Sequence, residues 1–166
     1  NVQIFRNMCK LLLHLSCLIC FTVMQHKYTV RLRSGFAELW RYNIVAECGG
    51  FDAAGERVCF VSAQSVIAPV GSALRQAPSE PTHPRALTMT TEPCESITAY
   101  IYVIPNTLPI SREVQDCLPF DLKVSVTADG ETVYDVTHKV NQWGGASIEL
   151  KLPAPVPQRA GEIRQL

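Results

Sequence analysis

The chain has 166 residues, enough for one domain with a full hydrophobic core. Fifteen Lys and Arg side chains balance fifteen Asp and Glu, so the formal net charge is zero. That balance gives no general attraction to nucleic acid or anionic lipid, and no nucleic-acid partner is expected. An apolar content of 47% with only 18% charged residues excludes global disorder.

Two readings compete for residues 1–23. In one, Met8 begins an export signal, with Lys10 as its positive flank and residues 11–23 as its apolar stretch. That stretch is shorter than the roughly 20 residues a spanning helix requires, so no membrane span is expected. No small-x-small cleavage site follows it. In the other, Met24 is the true start and everything before it is non-native upstream sequence. Strand pattern begins almost at once after Met24, which favours the second reading and a cytoplasmic protein. The first reading would make it an exported protein of the cell envelope.

Tyr28-Thr29-Val30-Arg31-Leu32-Arg33 alternates apolar and polar residues and predicts the first strand. Arg31, Arg33 and Arg41 lie close together in sequence, and a solvated strand face accounts for them better than a binding patch. After Gly35, the spacing of Phe36, Leu39 and Trp40 predicts a single helical turn plugging one end of a sandwich. Residues 43–51 and 56–63 read as a hairpin around Asp52-Ala53-Ala54-Gly55, a type I turn with Gly55 at positive φ. Residues 69–85, with four prolines, form a surface connection, extended and partly mobile. Short strands follow at 86–90 and 97–104. Residues 105–119 are a second long connection, in which Ser111 caps one or two helical turns over 112–117.

Strands at 120–127, 132–140 and 147–152 complete the pattern. Between the first two, Ala128-Asp129-Gly130 is a hairpin signal. Read as a three-residue loop, it places Val124 opposite Tyr134 and Leu122 opposite Val136. A two-residue loop would face Val124 with Asp135 and send the apolar set of one strand to the wrong side. The expected core face is therefore Phe120, Leu122, Val124, Tyr134 and Val136, with His138 facing inward as a structural histidine. Eight short strands with almost no helix predict an all-β fold, an antiparallel β-sandwich. Immunoglobulin-like, C2-like and jelly-roll connectivity are equally compatible with the pattern. The domain spans 24–152, and 153–166 reads as a Pro-rich disordered tail.

The seven cysteines suggest neither zinc nor a complete disulfide framework. Cys17 and Cys20 form one C-x-x-C inside an apolar run, without the strand–helix context of a redox motif. In the 43–63 hairpin, one register sets Cys48 directly opposite Cys59, and another sets Cys48 opposite Phe60. Free, buried thiols are expected.

No nucleophile elbow, phosphate loop, dinucleotide fingerprint or H-E-x-x-H occurs. His14, His26, His83 and His138 are isolated from one another. Asp116, Asp121, Asp129 and Asp135 are accounted for by caps, turns and wet strand faces, although a hydrolase built from acids that meet only in space remains a third class. No cofactor and no metal are expected. The local group that invites a binding hypothesis is Asn141-Gln142-Trp143-Gly144-Gly145. Trp143 either presents a flat apolar plate flanked by amides, or folds back while the glycines make the turn. The function expected is that of a non-catalytic β-sandwich module, bacterial, working through a protein partner as part of a larger assembly. The alternatives are a carbohydrate-binding sandwich using Trp143 with Tyr100 or Tyr102, and an exported envelope protein of a secretion apparatus.

Overall fold

The computed structural model describes residues 24–79 and 86–153. The readings of residues 1–23 and of the tail after Pro153 lie outside the described residues, as do His14, His83 and the end of the first long connection. Eight strands run in chain order: β1 (Tyr28–Arg33), β2 (Tyr42–Phe51), β3 (Arg57–Ser65), β4 (Ala86–Thr90), β5 (Ser96–Pro105), β6 (Phe120–Ala128), β7 (Glu131–Val140) and β8 (Ala146–Leu152). They form two four-stranded antiparallel sheets, ordered β4-β1-β6-β7 and β3-β2-β5-β8. The fold is the expected all-β sandwich. Only the β2–β3 and β6–β7 hairpins stay within a sheet, and every other connection crosses between sheets.

Alternation explains the core. Val30, Leu32, Leu122, Val124 and Val126 point inward from the first sheet, and Ile44, Ala46, Ile97, Ile101 and Val103 from the second. One 3₁₀ turn, Leu39–Arg41, plugs the sandwich as the Phe36/Leu39/Trp40 spacing predicted. Phe36 stacks on Phe120 with ring centroids 4.3 Å apart, and Tyr42 tilts against Phe120 at 4.9 Å.

Three expectations need correction. The first is the β6–β7 register: Val124 faces Val136, and Tyr134 faces Val126. The loop has two residues, Asp129 and Gly130, both at positive φ (49° and 92°), the geometry of a type I′ hairpin. Val133 is then an extra residue in β7, between the Val126–Tyr134 and Thr127–Thr132 pairs. This bulge restores the parity that a two-residue loop would have lost. The face argument thus named the correct side and put the odd residue in the wrong place. Phe120, Leu122 and Val124 are buried and Tyr134 partly so, but Val136 is 40% exposed because β7 is an edge strand.

Secondly, neither expected β2–β3 register occurs. Cys48 faces Val61 and Cys59 faces Gly50, with an irregularity between Gly50 and Phe51. The turn itself is as expected, with Gly55 at φ 79° and its N–H donating to the Asp52 carbonyl at 3.0 Å. Thirdly, Arg31 and Arg33 lie on the solvated face, but Arg41 does not join them. Its guanidinium is buried over the Trp40 ring at 4.4 Å, donates to Glu38 Oε2 at 2.9 Å and also bonds the Leu108 carbonyl.

Candidate functional site

The topology gathers the long connections at one end of the sandwich. Residues 34–41, 66–79, 106–119 and 141–145 lie there, because β3 ends beside the start of β2, and β4 starts beside the end of β1. The other end holds the short turns at Asp52–Gly55 and Asp129-Gly130 and the 91–95 connection.

Two buried asparagines fasten the loop end. Asn43 Nδ2 donates to the Ala68 carbonyl at 2.7 Å, while its Oδ1 accepts from the Ile67 N–H at 2.9 Å. Asn106 is fully buried, and its Nδ2 donates to the Trp40 carbonyl at 3.0 Å and to Asn43 Oδ1 at 3.2 Å. The Ser72 N–H donates to the Asn106 carbonyl at 2.8 Å, and the Thr107 hydroxyl to the Leu74 carbonyl at 3.3 Å. The two connections are therefore tied to the sandwich and to each other. In the second one, the expected Ser111 cap is not formed: the single 3₁₀ turn, Val114–Asp116, begins after Glu113 with no side-chain cap, and Ser111 Oγ accepts from the Glu113 N–H at 3.1 Å just ahead of it.

On these fastened segments stand Val66, Val70, Leu108, Ile110, Val114 and Leu118, each 58–72% exposed. The carbonyls of Leu108, Val114 and Leu118 are hydrogen-bonded, and Val66 and Val70 flank the bonded Ile67, Ala68 and Pro69, while all six side chains project. An isolated exposed aliphatic residue is ordinary; six on two interlinked connections at one end of a domain are not.

Asn141, Gln142 and Trp143 lie at this same end, in the β7–β8 turn. Asn141 Oδ1 accepts from the N–H groups of Trp143 (2.8 Å) and Gly144 (2.9 Å). Gln142 Nε2 donates to the Leu118 carbonyl at 2.7 Å, and the Gln142 carbonyl accepts from the Tyr42 hydroxyl at 2.9 Å. Both amides thus build the turn and fix the neighbouring connection. Trp143 is half-buried, with its indole N–H turned inward and meeting no acceptor among the described residues. Gly145, at φ 70°, allows the turn to press against β5: a Cβ there would stand 1.9 Å from the Val103 carbonyl oxygen.

Tyr100 and Tyr102 are elsewhere, on the outer face of the second sheet. There Glu47, Phe51, Arg57, Phe60, Tyr100 and Lys151 line an open trough of about 440 Å³. The Tyr100 hydroxyl donates to Glu149 Oε1 at 3.2 Å, and Lys151 Nζ is 3.0 Å from the same oxygen. Lys151 and the tyrosine together hold the Glu149 carboxyl below its ordinary range.

A larger hollow opens at the short-turn end between Met24, His26, Asp129 and Leu152. Its hydrogen bond between His26 Nδ1 and Asp129 Oδ2, at 2.8 Å, steadies the turn. The Lys27 N–H bonds Asp129 Oδ1 at 2.8 Å and, with His26, lowers the Asp129 pKa. Asp116 is bonded by Ser111, Asp121 by Lys139, and Asp135 by Lys123. His138 accepts or donates to the Tyr134 hydroxyl at 3.0 Å, on the inward side of β7. Among the described residues no group of three or more His, Cys, Asp or Glu is placed to hold a metal ion. No described helix is long and apolar enough to cross a membrane.

No protein-family model matches the chain, and no curated protein matches it. Two solved structures are similar. One is a domain of unknown function, DUF4425, from Bacteroides vulgatus, at 12% identity and a TM-score of 0.45, covering 77% of this chain and 95% of that one. The other is a DUF4425 family protein from Bacteroides ovatus, at 16% identity and a TM-score of 0.37, covering 78% and 93%. Likenesses this distant carry no argument about function.

Sequence reasoning singled out the Trp143 turn and the two connections separately. It missed that Gln142 ties the turn to the second connection, because a side chain bonding a carbonyl 24 residues away leaves no local signal.

Proposed function

We propose that this chain is a non-catalytic interaction module whose loop end binds a protein partner through aliphatic contacts. The supporting observation is the set of six exposed aliphatic side chains on two connections that long-range hydrogen bonds tie to the sandwich and to each other. A preorganised apolar surface binds without the entropy cost of ordering its loops. Arg112, Glu113 and Asp116 mix both charge signs into the same connection. A lipid-inserting loop would instead carry mainly basic flanks, so a protein occupant fits better.

The test places a photo-crosslinking residue at Ile110 or Leu118, with Lys123 on the outer face of the first sheet as control. The expected result is one discrete protein adduct from the loop-end positions and none from Lys123. Reconstituted with that purified partner, Ile110→Ser with Leu118→Ser should weaken binding at least about tenfold. Equal adducts at Lys123, or no adduct, overturns the proposal. Flotation with phosphatidylcholine–phosphatidylglycerol vesicles that the double variant abolishes would assign the surface to lipid and also overturn it.

A second reading rests on the trough beside Tyr100. Its aromatic rings, with the Glu47, Arg57 and Lys151 side chains around them, match the stacking and hydrogen-bonding needs of a sugar. Glycan-array binding lost in Tyr100→Ala and kept in the Ile110/Leu118 variant would favour it. Loss in Trp143→Ala alone would return the sugar site to the β7–β8 turn.

A further inference from the structure

At the short-turn end three thiols meet beneath β2. Gly50 and Cys48 lie on the inward side of β2, Gly50 faces Cys59 on β3, and Cys94 enters from the β4–β5 connection. A Cβ built on Gly50 would stand 2.5 Å from the Cys59 sulfur and 2.7 Å from the Cys94 sulfur. Both sulfurs therefore converge on the space that glycine leaves empty. Cys94 is fully buried and is held by backbone pairing with His26 (2.8 and 3.0 Å), while its sulfur contacts Thr91 Oγ1 at 3.7 Å. Cys59 is half-buried, with its sulfur 3.9 Å from the Glu92 carbonyl.

We propose that Cys59 and Cys94 form a dithiol that closes to one intramolecular disulfide on exchange with a low-molecular-weight disulfide. The partly exposed Cys59 reacts first. Its thiolate attacks one sulfur of the small disulfide, breaking that S–S bond and expelling one small thiolate, which takes up a proton. Cys94 then loses its proton to solvent and attacks the Cys59 sulfur, expelling the second small thiolate. Two protein thiols are oxidised to a disulfide, and one small disulfide is reduced to two thiols.

Burial raises the Cys94 pKa, opposed by its Thr91 hydrogen bond, and raises that of Cys48 to about 12. Those directions suit Cys59 as the entry point and leave Cys48 inert. The bridge would tie edge strand β3 to the β4–β5 connection and enclose the whole first long connection in a covalent loop. This inference is independent of the loop-end reading.

The test incubates the reduced full-length chain with oxidised glutathione and maps peptides without reduction. The expected product is a Cys59-containing peptide linked to a Cys94-containing one, with an intact-mass loss of about 2 Da for that bridge. Cys48→Ala should leave the bridge intact. Cys59→Ser, at a half-exposed site that tolerates the exchange, should leave Cys94 open to alkylation only after denaturation. Glutathione retained on Cys59 without bridging, a bridge from Cys48, or unmodified thiols at both positions overturns the proposal.

Discussion

At one end of the sandwich, Asp129-Gly130 and Asp52–Gly55 turn the chain within a few residues; the second is closed by its own groups, and the first is also held by Lys27 and His26. Asp52 Oδ1 alone accepts the N–H groups of Ala54 and Glu56, both at 2.9 Å. At the other end, residues 66–79 and 106–119 are held by Asn43, Asn106, Arg41 and Gln142, each reaching across 24 or more residues. The short turns themselves carry no large apolar side chain, though Met24 and Val133 are exposed beside them, whereas the long connections carry six exposed aliphatic side chains. Surface of that kind is costly to keep in water, and rigid backbone beneath it is what a binding surface requires. The difference between the ends is therefore one of exposed apolar surface carried on linked connections.

Four substitutions probe that contrast. The largest effect is expected for Gly145→Ala at the loop end. The added Cβ would overlap the Val103 carbonyl oxygen at 1.9 Å while the backbone sits at φ 70°, so destabilisation of about 3–5 kcal/mol or failure to fold is expected in a urea titration. Gly50→Ala at the short-turn end also meets close contacts, but two of the three are rotatable sulfurs. A loss of about 1–3 kcal/mol is expected, measured on the reduced protein. Equal losses for the two would show that both ends are equally rigid and would break the comparison.

Asn141→Ala removes one acceptor from two turn N–H groups and should cost about 0.5–2 kcal/mol, again by urea titration. It should also loosen the neighbouring connection, seen as faster hydrogen exchange around Leu118. The smallest effect concerns Asp129. Its pKa is lowered by the Lys27 N–H and by His26, so its contribution is complete above the ordinary value of 3.8 and is lost as pH falls through the depressed folded value. Asp129→Asn keeps a side chain that tolerates positive φ, and its acid limb of stability against pH should be shallower than that of the parent. An unchanged limb would place the His26–Asp129 contact outside the energetics of the turn.

Strand positions were legible because two-residue alternation is a local property. The expected 28–33 and 86–90 strands match β1 and β4 residue for residue, and the Phe36/Leu39/Trp40 spacing foretold the plug. Register was less legible. Bulges at Val133 and near Phe51 change which residues face one another while preserving which side they face, and nothing in the local pattern marks the residue that will be extra. Arg41 looked like its neighbours Arg31 and Arg33 because its burial depends on Trp40, Glu38 and a carbonyl 67 residues away. The same reason hid the loop end. The two connections and the Trp143 turn were each visible, but their meeting is a product of topology.

Val133 has one more effect. A strand that carries a supernumerary residue twists sharply at that point, so the border of β7, an edge strand among the described residues, offers no straight template for another chain to line up against. Lys139 and Asp135 add charge along that border. Among the described residues, that irregular, charged border is a poor template for ribbon-like polymerisation.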